Sequence, residues 1–261
     1  MRCKELIHIL EELSPKNFAE SWDNVGLLLG DKEQEVHSIM VALDATGDVI
    51  EQAIDSKCDM LITHHPLIFS SMKKITNDNF IGSRIMKLIS NRVAYYALHT
   101  NFDIAVMARE SARMVGLQDT SILEATGTDI GIGRYGTLKQ PMTLGEYAEF
   151  VKEQFGIDHV RVVGDLDASI TTAAVSTGSG EDYISHALEK KVDVLVTGDI
   201  RHHAAIDAAE RKMNIIDAGH FGTEHFMASW LANYLQDCFE RRKEAGIWVT
   251  VANEKTPFHI V

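Results

Sequence analysis

Cysteine is scarce in this 261-residue chain, which has only three. Cys3, Cys58 and Cys238 are odd in number and far apart, which argues against a disulfide framework and fits free thiols in a reducing compartment. No apolar run reaches the length of a membrane span, so no membrane partner is expected. The opening "MRCKELIHILEELSP" is too charged and too periodic for a secretory signal peptide. Cationic residues are in the minority: 25 Lys and Arg face 38 Asp and Glu, a formal net charge of −13. That balance disfavours broad binding to nucleic-acid phosphates, and basic-aromatic interleaving is lacking as well. A Gly-x-x-x-x-Gly-Lys-Ser/Thr motif is absent, which excludes a P-loop. The expectation is a soluble cytoplasmic protein, whose 45% hydrophobic residues suffice for one large or two modest domains.

What is present is alternation. "SIMVALD", "DMLIT" and "RVAYYAL" read as buried strands, and "DVIEQAIDSK" and "IGSRIMKLISN" between them carry apolar residues at helical spacing. Strands alternating with helices predict an α/β fold with predominantly parallel sheets and crossover helices. The order then returns in "TTAAVST", "DYISHALEKK", "DVLVT", "HHAAIDAAERK" and "NIIDAG".

The two passes align. "DVIEQAIDSKCDMLIT" (48 to 63) and "DYISHALEKKVDVLVT" (182 to 197) agree at seven of sixteen positions, and their apolar helical faces coincide. "HTNFD" (99 to 103) matches "HFGTE" (220 to 224), each a histidine four residues before an acid. We therefore expect duplicated αβ halves, 1–130 and 131–261, functionally one unit and joined by "ILEATGTDIGIGRYGTLKQPM".

The chemistry-bearing residues all follow predicted strands. His64 and His65 come after "DMLIT", Asp103 after "RVAYYAL", and His220 and Glu224 after "NIIDAG". Ligands in open α/β sheets bind beyond the carboxyl ends of strands, where loops converge. Three imidazoles and two carboxylates suit a borderline divalent ion (Zn, Fe, Mn or Co) and are too rich in nitrogen for a calcium site. Five donors exceed what one catalytic zinc takes from protein, so two ions sharing a carboxylate are expected. Adjacent histidines at a strand end point to opposite sides and can serve one ion each. His8, His37, His159, His186, His225 and His259 read as ordinary hydrogen-bonded histidines.

"SWDNVGLLLGD", "ITHHPLIF", "HTNFD", "GIGRYGTL", "STGSGEDYI", "TGDIRHH" and "DAGHFGTE" occur in an order that resembles the Nif-three-like dinuclear metal family, also known as type-two GTP cyclohydrolase I homologues. The resemblance runs from about residue 3 to the closing "TPFHIV". It implies a duplicated fold with a two-metal site between the halves, and assembly into a toroidal homohexamer. By position it implies His64, His65, Asp103, His220 and Glu224 as ligands, with Glu224 bridging. The stretch between the halves is too short for the inserted domain some members carry.

Other residues keep two readings. His99 aligns with His220, yet the family pattern does not make it a ligand; it orients Asp103 or binds metal-bound water. His203 faces substrate as a general acid, or merely starts a helix. Gly178, Ser179 and Gly180 offer backbone amides to an anion, or form a tight turn. Arg134 pairs with a phosphate or carboxylate, or braces the connection. The Trp22-Asp23-Asn24 turn reads as structural, as part of a cleft wall. Phe226, Met227, Trp230, Leu231, Tyr234, Leu235 and Phe239 form one apolar helical stripe, read as core.

Two functions compete. One is a metal-dependent hydrolase of a nucleotide or another phosphate-containing small molecule, with GTP cyclohydrolase activity implied by the resemblance alone. The other is a non-enzymatic metal-binding regulatory or scaffold protein.

Overall fold

The central strands have apolar side chains on both faces, which only a sheet covered on both sides can bury. The computed structural model describes residues 1–260. The chain begins with α1 (Cys3–Leu13), β1 (Gly26–Leu29), β2 (Ser38–Ala42), α2 (Gly47–Asp55) and β3 (Met60–Thr63). It continues with α3 (Phe80–Ser90), β4 (Ala94–Ala97), a single turn α4 (Thr100–Phe102) and α5 (Ala108–Met114). Next come β5 (Leu117–Gly127), β6 (Ile130–Thr143), α6 (Leu144–Phe155), β7 (Arg161–Val163) and β8 (Ser169–Ser179). The last elements are α7 (Ile184–Lys190), β9 (Val194–Gly198), α8 (His202–Glu210), β10 (Asn214–Asp217), α9 (His220–Glu224), α10 (Phe226–Arg242) and β11 (Trp248–Val251). Every residue of β2, β3, β4 and β9 is buried. Among the described residues no helix is long and apolar enough to cross a membrane.

Two compact units result, Met1–Phe102 with His225–Val261, and Asp103–Glu224. The first holds a five-stranded sheet, β1-β4-β3-β2-β11, and the second a six-stranded sheet, β5-β6-β8-β9-β10-β7. Both sheets are mixed, and in the second sheet, where three of the five strand pairs are antiparallel, this corrects the predominantly parallel expectation. β2, β3, β4 and β11 pair in parallel with β1 antiparallel at the edge. β8, β9 and β10 are parallel, whereas β5, β6 and β7 are antiparallel. The physical reason lies in the stretch read as a connection. It is a hairpin, reversed at Thr128–Asp129 with Asp129 in the left-handed region at φ 59°, and a tight reversal makes its strands antiparallel.

The unit boundary also differs from the expected break at 130. Each sheet takes its outer strand from the far end of the other sequence half. β11 pairs in register with β2, from Trp248↔Ser38 to Val251↔Val41, while β5, at the edge of the second sheet, pairs with β6. Read from the antiparallel edge, β1-β4-β3-β2 and β7-β10-β9-β8 follow the same order. The likeness extends to single atoms. Asp59 Oδ2 accepts from the His37 and Ser38 amides at 2.8 and 2.9 Å. Its aligned counterpart Asp193 accepts from the Thr171 and Thr172 amides, both at 2.8 Å.

The helices cover these sheets as their spacing predicts. α2 buries Val49, Ile50 and Ala53, and its first turn is capped by the Thr46 hydroxyl accepting from Val49 N at 3.2 Å. α10 buries Met227, Leu231, Leu235 and Phe239, and Trp230 stacks on Tyr234 with centroids 5.5 Å apart.

Candidate metal centre

The histidine pair sits where β3 runs out. His64 N donates to Ala42 O at 3.3 Å and His65 N to Leu43 O at 3.0 Å, so the ladder continues past Thr63. Pro66, lacking an N–H, then closes it. His64 is fully buried and His65 half-buried, as opposed strand directions require. The buried Tyr95 hydroxyl braces the loop. It accepts from Leu67 N at 2.8 Å and donates to His65 O at 2.9 Å, and burial pushes its pKa up, which keeps it a neutral donor.

His99 joins this pair. One ligand atom from each of His64, His65 and His99 lies within 4.8 Å of the others, and the ring centroids are 4.9 to 5.6 Å apart. His65 Nδ1 is 2.9 Å from Asp44 Oδ1, and His99 Nδ1 is 2.8 Å from Asp23 Oδ1. Asp23 is therefore more than part of a cleft wall. Burial opposes its ionisation, but hydrogen bonds from His99 and Thr100 prevail and hold its carboxyl down at about 2.

In the second unit, His220 and Glu224 stand one turn apart on α9, with His220 Nε2 3.1 Å from Glu224 Oε2. His220 Nδ1 is 2.8 Å from Asp199 Oδ2. Asp199 aligns with His65 and follows β9 with φ 57°, so the second pass has a carboxylate where the first has an imidazole. Gly178, at φ 71°, passes directly over the buried Glu224. A Cβ here would overlap Glu224 Oε1 and stand 3.4 Å from His220 Nε2. Asp103 opens a π-helical turn, Asp103–Met107, of the kind that recurs at functional positions.

Three imidazoles thus share one arrangement, Nδ1 against a carboxylate; for His65 and His99 this places the proton on Nδ1 and the lone pair on Nε2, whereas His220 has the Glu224 carboxylate against Nε2 as well. This is how proteins orient metal-binding histidines. In the second unit the buried Glu224 lies beside His220 under a residue kept to glycine, and the donors of each unit are of the kind a borderline divalent ion takes. Asp44 and Asp199 were detectable by the strand-end rule that found the histidines. Asp23 carried no such signal, standing 76 positions from His99.

The remaining candidates divide. Gly178 N donates to Thr223 Oγ1 at 2.9 Å and Gly180 N to Gly198 O at 3.1 Å, so these amides serve the fold and the tight-turn reading applies. Ser179 between them is exposed. His203 is an exposed residue of α8, packed edge-on against His202, and no donor cluster among the described residues includes it. Arg134 on β6 is half-buried and its Nε has no hydrogen-bond partner among the described residues. Burial, then the neighbouring Arg109, lowers its pKa. An anion partner would relieve both effects.

The chain is similar to known proteins over its whole length. A "GTP cyclohydrolase 1 type 2 homolog" of Clostridium acetobutylicum is 43% identical over 229 residues, covering 86% of this chain and 85% of the relative. A relative of the same name in Campylobacter jejuni is 29% identical over 260 residues, 99% of each. The crystal structure of a Bacillus cereus protein related to NIF3 superposes with a TM-score of 0.94 at 27% identity, covering 100% of this chain and 99% of the other. The profile of one family matches residues 1–257, and the chain belongs to that family, Duf34/NIF3 (NGG1p interacting factor 3).

Proposed function

We propose that His64, His65, Asp103, His220 and Glu224 together hold two divalent ions, with Glu224 as the shared carboxylate, and that the protein is a hydrolase of a nucleotide or another phosphate-containing small molecule. One observation carries this: His65, His99 and His220 each have Nδ1 against a carboxylate. When bound, the ions supply Lewis acidity that acidifies a water and polarises a substrate oxygen. The chain's own residues do the rest. Asp44 and Asp199 orient the rings of His65 and His220 through Nδ1, and Asp23 holds His99, a half-buried imidazole beside His64 and His65. Arg134 is suited to the substrate's phosphate. The repeated strand order and the matching aspartate bonds support duplication of an αβ half.

The reading includes a cytoplasmic homohexamer, which light scattering would test. The functional test is elemental analysis of protein purified without chelator, then reconstitution with Zn, Fe, Mn or Co and a screen of phosphoesters and nucleotides. About two ions per chain and metal-dependent hydrolysis are expected. Stoichiometry near zero after reconstitution would refute the centre. Full occupancy with no hydrolysis would favour the regulatory or scaffold role.

A further inference from the structure

The segment after β11 is pinned to the first sheet. Ala252 N donates to Val41 O at 2.9 Å, and Asn253 exchanges hydrogen bonds of 2.8 and 3.0 Å with the Gln52 side chain of α2. The next residue, Glu254, turns its carboxylate onto the end of β2. Its Oε2 accepts from Leu43 N at 2.6 Å and its Oε1 from Asp44 N at 2.9 Å. Such charge-assisted bonds are among the stronger ones a carboxylate makes, and two of them define a direction as well as a distance.

Leu43 and Asp44, with Ala42 before them, also face the histidines on their other side. The carbonyls of Ala42 and Leu43 accept from His64 N and His65 N, and Asp44 Oδ1 lies 2.9 Å from His65 Nδ1. Leu43 and Asp44 are therefore held from two directions. Their amides rest on Glu254, while a carbonyl and a carboxylate rest on the histidine strand. Turning the Leu43–Asp44 peptide would break the hydrogen bond that Asp44 N donates to Glu254 and swing the Asp44 side chain away from the imidazole.

We propose that Glu254 is a positioning residue for the histidine pair: by clamping the amides of Leu43 and Asp44, it aims Asp44 at His65 and so keeps the His65 proton on Nδ1 and the lone pair on Nε2. The consequence for metal rests on the function proposed above; the consequence for the tautomer does not. The placement of β11 beside β2 gives the arrangement its reach, because residue 254 prepares the imidazole of residue 65.

The test uses the full-length chain. Glu254→Gln keeps the shape but presents an NH2 group, which cannot accept, to one of the two amides. Glu254→Asp keeps the charge and withdraws it by one methylene. Thr250→Val removes a hydroxyl bond from β11 to Ile39 O at 3.3 Å and leaves Glu254 alone, so it reports on general loosening of that strand. The readout is the His65 ring tautomer in metal-free protein, from 15N-histidine NMR assigned with a His65→Gln spectrum. Zinc affinity is measured by chelator competition. The parent should show the Nδ1–H form. Glu254→Gln should give mixed tautomers and bind zinc about tenfold more weakly, the lower end of the range for an outer-shell partner. Glu254→Asp should fall between, and Thr250→Val should match the parent. An unchanged tautomer in Glu254→Gln, or an equal change in Thr250→Val, overturns the proposal. If the parent binds no zinc, the metal reading fails, and the tautomer comparison still decides the role of Glu254.

Discussion

His99 Nδ1 lies 2.8 Å from Asp23 Oδ1, and the aspartate side chain is completely shielded from solvent. Its other oxygen accepts from Thr100 N at 3.0 Å and Thr100 Oγ1 at 2.5 Å. Asn in place of Asp23 can serve one side of this arrangement only, because its NH2 must face either His99 or Thr100. Asp23→Asn should cost about 1–3 kcal/mol in urea denaturation, the usual range for bonds to a buried charged group. On the function proposed above, it should also slow metal-dependent turnover. Unchanged stability would show that the carboxylate bears no load.

Glu224→Gln should reduce binding of both ions, because a neutral amide no longer screens two cations from each other. His64→Ala and His65→Ala should each weaken mainly one ion. Calorimetric titration with zinc separates these patterns. Tight two-ion binding by Glu224→Gln would refute the shared carboxylate.

Gly178→Ala should impair metal binding and stability together. The backbone at φ 71° disfavours any Cβ, and this one would meet Glu224 Oε1. The strain alone should cost about 1 kcal/mol or more. Thermal unfolding with and without metal reads both effects. A variant as stable as the parent, with the same metal-induced rise in Tm, would contradict the close approach.

Asp193 yields a pH prediction. Burial opposes its charge, but hydrogen bonds from Thr171 and Thr172 hold its pKa below the ordinary aspartate value. A depressed folded-state pKa adds stability that is present above the unfolded value of about 4 and is lost as pH falls below it. The stability difference between parent and Asp193→Asn should therefore shrink between pH 7 and pH 3. A constant difference would mean that its charge plays no part.

The thiols should be unreactive in the native protein. Cys3, Cys58 and Cys238 are all buried, and burial pushes Cys3 up to about 11 and Cys58 up to about 12. A chromogenic disulfide reagent should label three thiols in guanidinium and almost none before unfolding. Fast labelling of the folded chain would show that these elements open readily.

Local pattern determined more of this protein than its overall connectivity would suggest. The strands β2, β3, β4, β9 and β10 and the helices α2, α3, α7 and α8 were legible because a buried strand must be apolar throughout and a one-sided helix must repeat at its own period. His64, His65, His220 and Glu224 were legible because strand ends are where such sheets bind ligands. Tertiary structure decided the rest. Whether β6 or β11 lies beside β8 or β2 depends on backbone hydrogen bonds between distant segments, which side-chain periodicity does not encode. Asp23 reads as a turn residue until His99 is brought against it, and Glu254 reads as a tail residue until two amides of β2 and its loop meet its carboxylate. An imidazole's tautomer is set by whatever lies against Nδ1, and here that neighbour comes from elsewhere in the chain.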